Sequence, residues 1–98
     1  MKPETKFKNR ALKVLNAIPN CWFEVINQRC ITGTPDVLGC VNGYFVALEF
    51  KSSDKAKVTK LQEYKLNKII TANGFGVVVT PSNIEHVYGV VKELSNSR

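Results

Sequence analysis

The 98 residues include 14 lysines and arginines against 8 aspartates and glutamates, a formal net charge of +6. With 44% hydrophobic and 22% charged residues there is apolar material for one core, hence a single domain over residues 1–98, and collagen-like or disordered order is excluded. No apolar run nears the ~20 residues of a membrane span, and Met1-Lys2-Pro3-Glu4 leads into charge rather than an apolar leader, so the expected location is the cytoplasm.

The spacing predicts a helix over residues 3–18, with Phe7, Ala11, Val14, Leu15 and Ile18 on one stripe and Pro3 in its first turn. Lys6, Arg10 and Lys13 fall on another face. Pro19-Asn20 stops that helix, and Cys21 to Gln28, with Trp22, Phe23, Val25 and Ile26, reads as a strand. After the loop Thr32-Gly33-Thr34-Pro35 come two apolar runs, Asp36 to Val41 and Tyr44 to Lys51. They flank Asn42-Gly43, the dipeptide best suited to a two-residue type I′ hairpin. Gly39 marks a close backbone approach or a bulge.

Ser52 to Val58 is a polar linker. Thr59-Lys60-Leu61-Gln62 has capping-box form and opens a helix with Leu61, Tyr64, Ile69 and Ala72 on one face, ended by Asn73-Gly74. Phe75 to Thr80 reads as a short buried strand closed by Pro81. Ser82-Asn83-Ile84-Glu85 has the form of a second capping box, before a helix with Ile84, Val87, Val91 and Leu94 on its stripe. The strand-helix-strand passage from Tyr44 to Thr80 predicts a parallel crossover, so the sheet is mixed. Tyr44, Tyr64 and Tyr88 read as packing residues, with Tyr64 also placed to touch a sugar or base, and His86 reads as a surface residue.

Three cysteines, Cys21, Cys30 and Cys40, are an odd number with no CxxC, so one chain completes neither a disulfide framework nor a four-ligand zinc site. They read as reduced structural thiols, with zinc shared across a dimer as the alternative. The basic residues cluster. Residues 2–13 and 51–68 hold eleven of the fourteen and only three acids, Glu4, Asp54 and Glu63, while the rest of the chain is slightly acidic. Such clustering favours a polyanion, most simply nucleic acid, over a merely solvated helix face.

In a two-residue hairpin centred on Asn42-Gly43, Val41 faces Tyr44, Leu38 faces Ala47, and Asp36 faces Glu49. Opposed carboxylates repel, and Lys51, two residues past Glu49, projects from the same face to compensate. Glu49 stands inside Val46-Ala47-Leu48-Glu49-Phe50, where an unpaired charge is costly. An acid pair with an adjacent ammonium suits a hard divalent cation and phosphate chemistry, whereas a plain surface ion pair is the simpler account of the same residues.

Gly33-Thr34-Pro35-Asp36, then twelve residues, then Glu49-Phe50-Lys51, resembles the PD-(D/E)xK nuclease signature, closest to small stand-alone VRR-NUC proteins and more distantly to Holliday junction resolvases. The resemblance covers essentially the whole chain. It implies an α/β fold, a restriction-endonuclease-like αβββαβ core with mixed central sheet and an extra C-terminal helix. It also implies Mg²⁺, with Mn²⁺ able to substitute, held by Asp36, Glu49 and the backbone carbonyl of Phe50, with Lys51 orienting or deprotonating water. Glu4, on the inward face of the first helix, would complete the metal site, or else simply sits well in a first turn. Gln62 matches the glutamine that follows the ExK strand, alongside its capping role. The chain departs from VRR-NUC proteins in having no arginine in Phe75-Gly76-Val77-Val78-Val79.

The resemblance therefore implies a metal-dependent DNA endonuclease, with Lys6, Arg10, Lys13, Lys55, Lys57 and Lys60 holding backbone phosphates. So short a chain has few side chains to read a long sequence, which favours branched or junction DNA, and cutting two strands implies a homodimer. No small-molecule substrate and no membrane is expected. A phage or mobile-element nicking or homing endonuclease on duplex DNA is the alternative. A catalytically inactive nucleic-acid binding module and a structural protein are the rivals from other classes.

Overall fold

The computed structural model describes residues 2–26 and 32–97. Along the chain run α1 (Pro3–Asn16), β1 (Cys21–Val25), β2 (Val37–Val41), β3 (Tyr44–Phe50), α2 (Lys60–Thr71), β4 (Phe75–Val79) and α3 (Ile84–Ser95). The strands form one sheet in the order β1-β2-β3-β4, antiparallel except for the parallel pair β3 and β4. This is the expected mixed α/β architecture. Among the described residues no helix is long and apolar enough to cross a membrane.

The hairpin has the predicted register: Val41 pairs with Tyr44, Leu38 with Ala47 and Val37 with Leu48. Asn42 and Gly43 have φ of 51° and 89°, the pair of positive values that a type I′ turn requires. The Asn42 side-chain amide also donates to the Leu94 carbonyl at 3.2 Å, which ties the turn to α3. Because side chains alternate along a strand, β3 sends Val46, Leu48 and Phe50 to one face of the sheet and Phe45, Ala47 and Glu49 to the other.

The first face carries the core. Phe7, Ala11 and Leu15 of α1 and Val87 and Val91 of α3 close over Phe23, Val37, Val41, Val46, Leu48, Phe50 and Val79. Gly39 resolves in favour of close approach. The ladder Phe23–Gly39–Val46 runs unbroken, with no bulge, and any Cβ at residue 39 would collide with the Phe23 ring. Helix α2 lies on the opposite face, where Leu66 packs over Gly76 of β4.

Several expectations are corrected. Helix α1 stops at Asn16, and Ile18 packs from the following turn, whereas Val14 is exposed. Strand β1 ends at Val25, and the expected extension reaches Asn27 and Gln28, outside the described residues, as is Cys30. On α2 the buried residue is Leu66, while Leu61, Tyr64 and Ala72 are exposed, because the helix covers only the β4 side of the sheet. Strand β4 is an edge strand, fully buried only at Val79. The second capping box does not form. Asn83 precedes α3, but its side chain bridges the Thr80 N–H, from which Oδ1 accepts at 2.8 Å, and the Val78 carbonyl, to which Nδ2 donates at 2.8 Å. Ser82 instead donates to Asp54 of the linker at 2.7 Å, and this bond holds the Asp54 carboxyl below its usual range.

Gly39→Ala is expected to destabilise the chain by about 1–3 kcal/mol in urea unfolding, by overpacking against Phe23. Adding Phe23→Leu should recover part of that loss; strict additivity of the two changes would contradict the packing account.

Candidate active site at the open end of the hairpin

Strand β2 begins at Val37, opposite Leu48 and two residues short of the end of β3 at Phe50, and Asp36 stands just beyond that pair. Its backbone carbonyl accepts from Ile26 N–H at 2.8 Å, and its side chain takes over the next ladder position, Oδ1 accepting from Phe50 N–H at 3.1 Å. Asp36 thus continues the ladder with its carboxylate. On the other side of β3, Lys51 N–H donates to the Val79 carbonyl at 2.9 Å, which anchors the strand end to β4.

Glu49 is buried on the face opposite the main core. Its Oε2 receives Lys51 Nζ at 3.6 Å and Gln62 Nε2 at 3.1 Å. Gln62 forms the foreseen capping box in addition to this contact. Its Oε1 accepts from Thr59 N–H at 3.0 Å and its N–H donates to Thr59 Oγ1 at 3.1 Å, so the capping box that starts α2 also holds the amide rigidly against Glu49. Burial first, and the Asp36 charge second, push the Glu49 carboxyl up to about 7, against the opposing pull of Lys51 and a hydrogen bond from the Asp36 backbone.

Two further lysines, not singled out from the sequence, meet the site. Lys8 Nζ lies 3.2 Å from Asp36 Oδ2, with both side chains largely shielded from solvent. Lys65 Nζ donates to Thr34 Oγ1 at 3.1 Å, holding the 32–35 loop to α2, where Leu61 also packs on Gly33. Both were legible in principle. Lys8 is four residues after Glu4 on the same side of α1, and Lys65 is three after Gln62 on α2.

Glu4 itself is part-exposed in the first turn of α1. Among the described residues no three His, Cys, Asp or Glu side chains gather, so Glu4 does not join Asp36 and Glu49, and α1 brings Lys8 to the site instead. The same finding leaves Cys21 and Cys40 as free thiols outside any such cluster. Phe50 contributes only its backbone, since its ring lies in the core, edge-on to Phe7 at 5.5 Å. Lys6, Arg10, Lys13, Lys55, Lys57 and Lys60 are all exposed, the first three on α1 and the others on the linker and α2. His86 is exposed as expected, and Tyr64 is exposed rather than packed, with Lys68 Nζ 6.0 Å from its ring.

A folded-state pKa of about 7, against 4.5 ordinarily, means that the folded chain retains a proton that the unfolded chain has released. Stability should therefore decline as pH rises from about 4.5 to about 7 in metal-free buffer. The expected contribution is about 1–3 kcal/mol. Urea unfolding at several pH values should show a flatter profile for Glu49→Gln than for the parent; identical slopes would contradict the assigned burial.

No protein-family model matches this sequence, and no curated protein matches it. Among solved structures, a chain described as a VRR_NUC domain superposes with a TM-score of 0.77 at 15% identity, covering 91% of this chain and 97% of the other. The chain has the fold of that VRR_NUC domain, an α/β architecture with a mixed four-stranded sheet.

Proposed function

We propose that the chain is a divalent-metal-dependent DNA endonuclease that hydrolyses phosphodiesters at the Asp36–Glu49 pair. The observation that carries the reading is Glu49, a buried carboxyl beside a second acid, with Lys51 Nζ 3.6 Å away. A buried acid pair is short of positive charge, and its donors are oxygens, the set that suits Mg²⁺ or Mn²⁺. The Phe50 carbonyl fits the same set. Lys51 N–H points to β4 and Phe50 N–H to Asp36, so the Phe50 carbonyl, on the same side as its own N–H, is directed past the end of β2. Asp36, Glu49 and this carbonyl would hold the cation, and Gln62 orients Glu49. A bound cation supplies Lewis acidity and lowers the pKa of a water.

The residues of the chain do the remainder. Lys51 steadies the attacking water or a non-bridging phosphate oxygen. The attacking water gives up a proton to bulk solvent as its oxygen bonds to phosphorus, the bond from phosphorus to the leaving sugar oxygen breaks, and the leaving oxygen takes up a proton from solvent. Lys8 neutralises Asp36 and stands where an adjacent phosphate would pass. Lys6, Arg10 and Lys13, with Lys55, Lys57 and Lys60, supply charge on the two helical layers for the backbone on either side. Branched or four-way DNA, selected by its shape, is the substrate this reading favours. Cutting both of its strands takes two copies of the chain.

Glu49→Gln should reduce cleavage at least ~100-fold, while binding, measured in EDTA, changes little because the lysines supply it. Unchanged cleavage would remove Glu49 from the site. Mn²⁺ affinity by calorimetry should tighten with pH up to about 7 and level off above it, since the Glu49 proton competes with the cation; a pH-independent affinity would exclude Glu49 as a ligand.

A further inference from the structure

Asp36 has both carboxylate oxygens engaged by the chain itself. Oδ1 accepts from Phe50 N–H at 3.1 Å, and Oδ2 accepts from Lys8 Nζ at 3.2 Å. The two bonds differ in kind. The first belongs to the edge of the sheet and fixes the carboxylate, whereas the second ends on a flexible side chain carried by another layer. Lys8 makes it across 28 residues, although Glu4 lies one turn before it on α1 and makes no ion pair among the described residues. Lys8 is also the α1 cation turned to the site. It stands two residues from Lys6 and from Arg10, so it leaves the helix on the opposite side, and those two are exposed while Lys8 is shielded.

We propose that Lys8 is a positioning residue that competes with the divalent cation for Asp36 and passes to a DNA phosphate once the cation is bound, so that metal and DNA bind cooperatively. The proposal rests on the function given above. A cation that takes Asp36 shares the carboxylate with the Lys8 ammonium, and two positive charges on one carboxylate repel. Phe50 N–H is fixed in the sheet edge and cannot yield, so Lys8 does. Its stem is flexible and its ammonium bonds as a point charge, without the planar fork that would commit an arginine to one carboxylate. With Asp36 neutralised by the cation, the anion left for Lys8 is the phosphate backbone of the substrate.

The consequence is a linkage between two ligands. Binding alone, the cation breaks the Lys8–Asp36 pair and leaves a shielded ammonium uncompensated. With DNA present the ammonium finds a phosphate, and that part of the cost disappears. DNA therefore tightens the cation, and the cation tightens DNA by the same factor.

The test is a set of binding measurements on the full chain. Calorimetry without DNA should give Lys8→Met a Mn²⁺ Kd ~10-fold tighter than the parent's, because no ammonium has to be displaced. Binding to a labelled four-way junction should be alike for the two in EDTA. In Ca²⁺, used for its oxygen ligands in place of the cutting cation, Lys8→Met should bind the junction ~10-fold more weakly than the parent and show about one fewer phosphate contact in the salt dependence. Lys8→Arg, which keeps the charge, should still bind DNA more tightly with the cation than without it. Methionine is a good helix former, and Lys8→Gln serves as a second neutral variant if Lys8→Met loses its circular dichroism. Unchanged Mn²⁺ affinity in the neutral variants would make the pair a fixed strut and overturn the proposal. Equal loss of DNA affinity in EDTA and in Ca²⁺ would make Lys8 an ordinary phosphate contact and overturn it too. Asp36→Asn and Glu49→Gln test the underlying reading separately. If they abolish a Mn²⁺ affinity that the parent has, the metal site stands whatever Lys8 does, and if neither the parent nor any Lys8 variant binds Mn²⁺, both fail.

Discussion

The register of one hairpin decides where the candidate site of this chain sits. Side chains alternate along a strand, so a slip of one residue between β2 and β3 would bring Glu49 out of line with Asp36 and set core residues against polar ones. Asn42 and Gly43 prevent the slip by adopting the paired positive φ of a type I′ turn, and the Asn42 amide locks the turn onto α3. From that turn the pairing runs to Val37–Leu48. At the next position the strand stops and a carboxylate replaces a peptide group, so Asp36 reaches the Phe50 amide and comes to rest beside Glu49.

The electrostatics follow from this placement. Two acids side by side, one buried, create a deficit of positive charge that the fold meets from separate layers. Lys8 comes from α1 on the core side, Lys51 from the strand itself, and Gln62 from α2 on the other side. The compensation is incomplete, because burial and the neighbouring Asp36 still hold Glu49 up to about 7. A site folded around such a shortfall is suited to a divalent cation, and an ordinary surface ion pair would not need two helices to enclose it.

Much of this was legible in the sequence, for local reasons. Asn42-Gly43 fixes turn type and register together, and Thr59 with Gln62 announces both a helix start and an amide held next to the ExK strand. What was not legible depended on how layers meet. The stripe chosen for α2 placed Leu61, Tyr64 and Ala72 inward, but the helix covers one side of the sheet only and needs little more than Leu66. Ser82-Asn83-Ile84-Glu85 has capping-box letters, yet Asn83 spends its side chain on the end of β4, because the turn between strand and helix left Thr80 N–H and the Val78 carbonyl in need of partners. Glu4 was the natural acid on α1, and the structure brings Lys8, one turn later, to Asp36. Trp22 reads as a strand residue either way; only the packing of the described residues shows that it is left exposed.

The central claim, that the Asp36–Glu49 pair is a metal-dependent phosphodiesterase site, is tested most directly by incubating the chain with labelled four-way junction, duplex and single-stranded DNA, each with Mg²⁺, Mn²⁺ or EDTA. The account predicts cutting that requires the cation and favours the junction. Salt-sensitive binding with no cutting under either metal, or cutting undiminished in EDTA, would contradict it.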